Sequence, residues 1–165
     1  MDLANVVPWG RSFEEYQTMF ELSDDDLNTR ILGCGDGPAS FNAEATERGY
    51  QIISCDPVYQ FKAEEIRRRI DDVYPEIMTK MQQGAGDYIW HSLGGVEQLG
   101  EARMKAMSRF LSDFDAGCRQ GRYVSASLPT LPFADSEFDL ALCSHYLFLY
   151  SDHVDGAAHL ASMRE

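Results

Sequence analysis

No run in this 165-residue sequence approaches the roughly 18 apolar residues of a membrane span, so no membrane contact is expected. The N-terminus lacks the basic, apolar and small-residue order of a secretory signal, which makes the cytoplasm the expected address. Cys34, Cys55, Cys118 and Cys143 include no C-x-x-C pair. That absence removes the common zinc and redox patterns, no metal is expected, and the four read as reduced, mostly buried thiols. Basic residues are scarce, with 14 Lys and Arg against 27 Asp and Glu and a formal charge of −13. Such a balance argues against non-specific attraction to nucleic acid or anionic lipid. No internal repeat or low-complexity stretch is present.

What is present fits one α/β domain over residues 1–165, long enough for a real core and too short for two ordinary domains. Ten of the fourteen basic residues lie between Lys62 and Arg122, but ten acids share that span and neutralise it. The triple arginine at 67–69 invites an RNA-binding reading. Glu64 with Arg68 and Glu65 with Arg69 stand at i, i+4, however, and favour a solvated helix face.

Ser12-Phe13-Glu14-Glu15 spells a capping box, and Phe13, Tyr16 and Phe20 follow on one face of a helix running to about Glu21. Thr29 to Leu32 reads as a strand. Pro38 suits the first position of a helix over 38–48 that Gly49 stops, and Gln51 to Cys55 is the next strand. Strand, glycine turn, helix and strand make a βαβ unit over 29–60, behind an N-terminal helical cap over 1–28. Residues 61–121 are helical in pattern with breaks near Gln82 to Gly86 and Gly94-Gly95, too long for a plain crossover, and read as a helical insertion. Residues 122–165 supply strands at Arg122 to Ala126 and Phe138 to Cys143 and the start of a last helix. The expected fold is Rossmann-like, a mostly parallel sheet with flanking helices. Its fourth strand, apolar on both faces, would stand near an open edge, so the chain reads as truncated there or covered by another copy, a homo-oligomer.

The turn "RILGCGDGPASF" places Gly33, Gly35 and Gly37 directly after the first strand. Three ligands compete for it. A P-loop needs a lysine after its last glycine, and none lies near Gly37. A dinucleotide fingerprint needs a third glycine where this chain has Pro38, and Asp36 inside the turn opposes a pyrophosphate. S-adenosylmethionine has no phosphate, its two positive centres suit an acidic turn, and Gly33, Cys34 and Gly35 offer backbone to its amino-acid part. Asp56, with Pro57 beside it, closes the second strand 23 positions after Gly33, near the spacing at which a carboxylate meets two ribose hydroxyls. The plain alternative is that Asp56-Pro57 only terminates a strand.

Residues 29–56, together with "SLPTLPFADSEFDLALCSH" in 122–150, resemble the nucleotide half of class I S-adenosylmethionine-dependent methyltransferases. "VPWGRSFEEYQTMF", "GPASFNAEATERG" and "DPVYQF" are similar to a bacterial group of that family with a long helical insertion. The resemblance implies S-adenosylmethionine as cofactor and methyl transfer to an acceptor held by the loop after the fourth strand, Ser144-His145-Tyr146. In that loop His145 is the candidate base and Tyr146 its catalytic neighbour. It implies Leu128 and Ser144 as further cofactor contacts and Arg11, before the first helix, as a partner for the methionine carboxylate. Ile31 and Ser127 stand where the family often carries acids. The acceptor is not identified by the sequence; a small molecule is preferred to protein, and nucleic acid is disfavoured. Two alternatives stay open: a binding or assembly protein that has the fold without transfer activity, and a dinucleotide-binding Rossmann protein.

Overall fold

The capping box at Ser12 forms as spelled. The Ser12 side chain accepts from Glu15 N, Glu15 accepts from Ser12 N at 2.9 Å, and helix α1 (Phe13–Met19) follows. A second reciprocal cap, Ser23 with Asp26, starts the short α2 (Asp24–Leu27). The computed structural model describes residues 3, 6–87, 94–144, 146–147 and 155–165. Beyond the first two helices the chain runs β1 (Arg30–Cys34), α3 (Phe41–Glu47), β2 (Gln51–Cys55), α4 (Ala63–Gln83), α5 (Val96–Arg119), β3 (Tyr123–Val124), β4 (Leu140–Cys143) and α6 (Gly156–Arg164). A 3₁₀ turn (Pro57–Gln60) follows β2, and a second (Ala85–Asp87) follows α4.

The four strands form one all-parallel sheet in the order β3-β2-β1-β4, a Rossmann-like α/β arrangement. The chain starts in the middle, moves outward to β3 and returns to the other side of β1. The strand order therefore reverses between β1 and β4, the position at which open α/β sheets form a ligand crevice beyond the carboxyl ends of the strands.

Alternation along the strands sends two sets of side chains to opposite faces. Ile31, Ile52 and Leu142 join Phe13, Tyr16, Leu27 and Phe41 in a core beneath α1, α2 and α3. The Phe41 ring stacks on Tyr16 at 4.3 Å and on Phe13 at 5.7 Å. Beside it, Tyr123 meets Tyr59, Phe110 and Phe114 with centroids 5.3–5.4 Å apart, so α5 covers the β3 edge as a crossover helix would. Buried positions Leu99, Arg103, Ala106, Met107, Phe110, Leu111 and Phe114 trace one face of α5 at helical spacing. Helix α4 lies outside α5 and buries only Ile66, Ile70 and Val73. On the other face Leu32, Cys34 and Cys55 pack with Ile53, Val124 and Cys143. All other residues of that cluster (Ala126, Leu128, Leu131, Phe133, Phe138) come from the β3–β4 connection, so a loop covers this face where the pattern predicts helices.

Four further expectations change. Pro38 does not open α3, which begins at Phe41. Ser40 N donates to Arg11 O at 2.9 Å, and a Cβ on Gly10 would lie 2.0 Å from Pro38 O; the incoming N-terminal segment is pressed onto 38–40 and takes the groups a first helical turn would use. Strand β3 is two residues long, not five, because only Ser54 and Cys55 of β2 pair with it. Arg69 does not pair with Glu65. It donates to Val6 O at 2.8 Å, tying the N-terminal segment to α4, while Glu65 takes Lys62 N. All four cysteines are free, but only Cys34 and Cys55 are buried, Cys143 is half-buried and Cys118 is exposed.

Candidate functional site

Gly35 and Gly37 adopt φ of +70° and +53°, backbone that side chains with a Cβ rarely take, and this turns the chain sharply at the end of β1. Gly33 is required for another reason. It lies within β1 at φ that any residue can adopt, yet a Cβ there would fall 1.9 Å from Asp36 Oδ2. The turn folds its own carboxyl back beneath the strand, so this glycine accommodates Asp36 and not a ligand. Gly33 and Cys34 also have strand neighbours on both sides, β2 and β4. The outward, half-buried part of the turn is Gly35 and Gly37.

Three side chains hold that turn. Asp56 accepts from Gly37 N at 2.9 Å through Oδ2 and from Val58 N at 2.8 Å through Oδ1. Tyr59 donates to Gly37 O at 2.8 Å. Asp36, 7% exposed, accepts from Tyr16 Oη at 2.7 Å and from Ser54 Oγ at 2.6 Å. The Tyr16 hydroxyl also lies 2.9 Å from Ser144 Oγ at the end of β4, joining α1, the turn and the loop after β4 across the crevice. Burial pushes the Asp36 carboxyl up to about 6 against the hydrogen bonds from Ser54 and Tyr16, with the Asp56 charge adding to the rise. Burial also raises Asp56, which its two backbone N–H donors oppose. The polar chain continues inward: Ser54 Oγ takes a hydrogen bond from Asn42 Nδ2 at 3.2 Å, and Asn42 Oδ1 accepts from Arg122, which forks onto Asp113 at 2.8 Å.

The sequence-predicted residues gather at this end of the sheet. Asp56, Pro57 and the turn adjoin directly, Ser144 joins through Tyr16, and Tyr146 packs over the turn, its Cβ 3.2 Å from where a Cβ on Gly35 would be. Leu128 lies in the apolar cluster of Cys34 and Cys55. The Arg11 carbonyl holds Ser40, and its guanidinium is lowered by burial and by Arg103, with Glu15 and Tyr16 opposing. His145 lies outside the described residues.

Sequence reasoning missed Tyr16, Ser54 and Tyr59. Tyr16 had one visible sign, a hydroxyl on an otherwise apolar helix face beside Phe13 and Phe20. It also missed that register aligns Cys55, Cys34 and Cys143 in one row across β2, β1 and β4. A hydrogen bond with Cys55, then burial, raises the Cys34 thiol, so Cys34 is a neutral packing group and not a nucleophile.

Each Asp56 oxygen uses one acceptor position on backbone and retains a second lone pair. The start of α3, which would face a pyrophosphate, is occupied by Arg11 O and Gly10. A cavity of about 400 Å³ opens at the opposite end of the sheet, lined by Arg30, Gln51, Arg122 and Phe138 among others. It lies at the amino ends of the strands, and its two arginines are engaged by Asp139 and Asp113. Among the described residues no group of three His, Cys, Asp or Glu side chains could hold a metal ion, and no helix is long and apolar enough to cross a membrane.

No family model and no solved structure matches the chain. The uncharacterized protein MJ0045 of Methanocaldococcus jannaschii is 30% identical over 167 aligned residues, which cover all of this chain and 74% of that protein. Identity of that extent over the whole of this chain places the two sequences in one family, and this chain belongs to the family of MJ0045.

Proposed function

We propose that the protein binds S-adenosylmethionine at the carboxyl ends of β1 and β2 and transfers its methyl group to a small-molecule acceptor held by the loop after β4. The observation that carries this reading is the placement of Asp56: one carboxylate, anchored by Gly37 N and Val58 N, with an acceptor position left on each oxygen beside the glycine turn. The covered start of α3 and the inward-turned Asp36 favour a ligand without phosphate over a dinucleotide. Bound there, the cofactor would supply an electrophilic methyl on a sulfonium. Asp56 would hold the ribose, Gly35 and Gly37 would let the amino-acid part approach the backbone, and Leu128 would offer an apolar face to the base. Arg11 stands near the turn for the carboxylate. The protein's task is then to position donor and acceptor and to dispose of an acceptor proton.

Calorimetric titration tests the reading. S-Adenosylmethionine and S-adenosylhomocysteine should bind and NAD should not; binding of NAD alone rejects it. Asp56→Asn keeps the shape but weakens the hydroxyl contacts, and should lower affinity roughly 10- to 100-fold, the loss expected from charge-assisted hydrogen bonds. Unchanged affinity with an unchanged thermal midpoint removes the ribose role.

A further inference from the structure

The glycine turn carries one carboxylate of its own, Asp36, and leans on a second, Asp56. Among the described residues every group that donates to them is neutral: the hydroxyls of Tyr16 and Ser54 for Asp36, the backbone N–H groups of Gly37 and Val58 for Asp56. Half-buried carboxylates elsewhere are matched with cations, Glu15 with Arg103 and Asp113 with Arg122. An ionised carboxylate taken out of water is costly without a positive partner, and here burial raises Asp36 while the Asp56 charge adds to the rise. The turn thus holds negative charge that no ion pair meets. Nor can Asp36 turn outward to solvent. Its Oδ2 fills the space that a Cβ on Gly33 would need, and each of its oxygens is held by its own hydroxyl, Tyr16 from α1 and Ser54 from β2.

We infer that Asp36 is the counter-charge of this site and sets its specificity for the charge of the ligand, favouring the sulfonium of S-adenosylmethionine over the neutral thioether of S-adenosylhomocysteine. This rests on the methyl-transfer reading above. The order of groups in the ligand supports the assignment: with the ribose on Asp56 and the amino-acid part on Gly35 and Gly37, the sulfur between them stands beside Asp36, the residue between those two glycines. The two ligands share base, ribose, ammonium and carboxylate. They differ at that sulfur by one methyl and one positive charge. A cation there stabilises the ionised carboxylate and not the neutral acid, so ligand and proton compete for Asp36. Protonation of Asp36 therefore weakens S-adenosylmethionine more than S-adenosylhomocysteine. The groups facing Asp36 are Tyr16 from α1, Ser54 from β2, Cys34 from β1, and Asp56 and Tyr59 around the 3₁₀ turn, with Arg11 acting through Tyr16. Burial leads these influences and brings the carboxyl to about 6, which makes both of its charge states accessible near neutrality. Once the methyl has left, the same carboxylate faces a neutral sulfur, and exchange of product for fresh donor is favoured.

Two measurements on the full chain test this, and neither needs an acceptor. In carboxyl-carbon NMR titrations Asp36 should titrate at about 6 in the free protein. Its midpoint should lie about one pKa unit lower, or more, with S-adenosylmethionine bound than with S-adenosylhomocysteine bound, as expected for an opposite charge close by. Calorimetric titrations of both ligands from about pH 5 to about pH 7 should then show the ratio of their affinities moving roughly 5- to 10-fold toward S-adenosylmethionine as pH rises. Asp36→Asn should hold that ratio at its acid value throughout. Equal Asp36 midpoints in the two wild-type complexes overturn the inference without recourse to any variant. So does an affinity ratio that ignores pH in the wild type, or one that moves as far in Asp36→Asn. Binding of both ligands with a constant ratio overturns this inference alone, whereas binding of neither overturns the underlying reading and this inference with it.

Discussion

The two faces of the sheet are built on different principles. Beneath α1, α3 and α5 lie stacked aromatic rings and a continuous polar chain from Ser144 through Asp36 and Asn42 to Asp113. Across the sheet, a few ångströms away, the cover is a loop and the row beneath the crevice is three thiols. The difference shows where this fold invests its order. On the helical face an unpaired buried polar group costs about 1–3 kcal/mol, and the pairing of Asp36 with Tyr16 and Ser54 locks the turn and the cap helix together. The loop-covered face instead buries apolar side chains and thiols under a connection that has no helix to stiffen it.

Neighbouring residues on β1 sharpen that contrast most strongly. Ile31 is fully buried under the aromatic core and Leu32, 5% exposed, sits under the loop. Ile31→Ala should cost about 4–5 kcal/mol in urea denaturation and Leu32→Ala about 2–3 kcal/mol, because a loop can settle into the space and stacked rings cannot. Equal losses would show that both covers are equally rigid.

Next in size is the effect of Asp36 on stability against pH. Its carboxyl is raised from 3.8 to about 6, so the folded protein binds the proton more tightly than the unfolded chain does. The stability this contributes is fully present below about pH 4 and is lost as pH rises to about 6, a change of about 3 kcal/mol at 1.36 kcal/mol per pKa unit. Denaturation at pH 4, 5, 6 and 7 should therefore show the difference between wild type and Asp36→Asn falling across that window and flat above it. A difference that rises with pH would mean that the hydrogen bonds from Ser54 and Tyr16 outweigh burial.

The smallest effect concerns the cap. Ser12→Ala removes the acceptor for Glu15 N at the start of α1 and should cost about 1 kcal/mol. If the Tyr16 link to the crevice depends on that cap, the Ser144 amide resonance should broaden or shift in the same variant; an unmoved resonance would make α1 a rigid plate held by packing alone.

Much of the architecture was legible because its causes are local. The limits of β2, the capping box of α1, the gap between α4 and α5 and the positive φ of Gly49 all follow from a few consecutive residues, as periodicity or turn chemistry. The place of Asp56 was legible too, as the carboxylate that closes β2 beside the glycine turn. The start of α3 was misread because its first turn is unmade by Gly10 and Arg11, residues almost thirty positions earlier in the chain.

The sequence by itself therefore determined the α/β alternation, the parallel βαβ unit and the identity of the turn and its acid, since hydrophobic spacing and backbone stereochemistry act over one or two turns of chain. Only the tertiary structure decided that Gly33 makes room for Asp36, that Tyr16 reaches Ser144 across the strand-order reversal, and that three cysteines share a row. Apart from the three-residue step from Gly33 to Asp36, those contacts join residues 20 to 128 positions apart, and strand order, register and helix packing, which no local pattern records, bring them together.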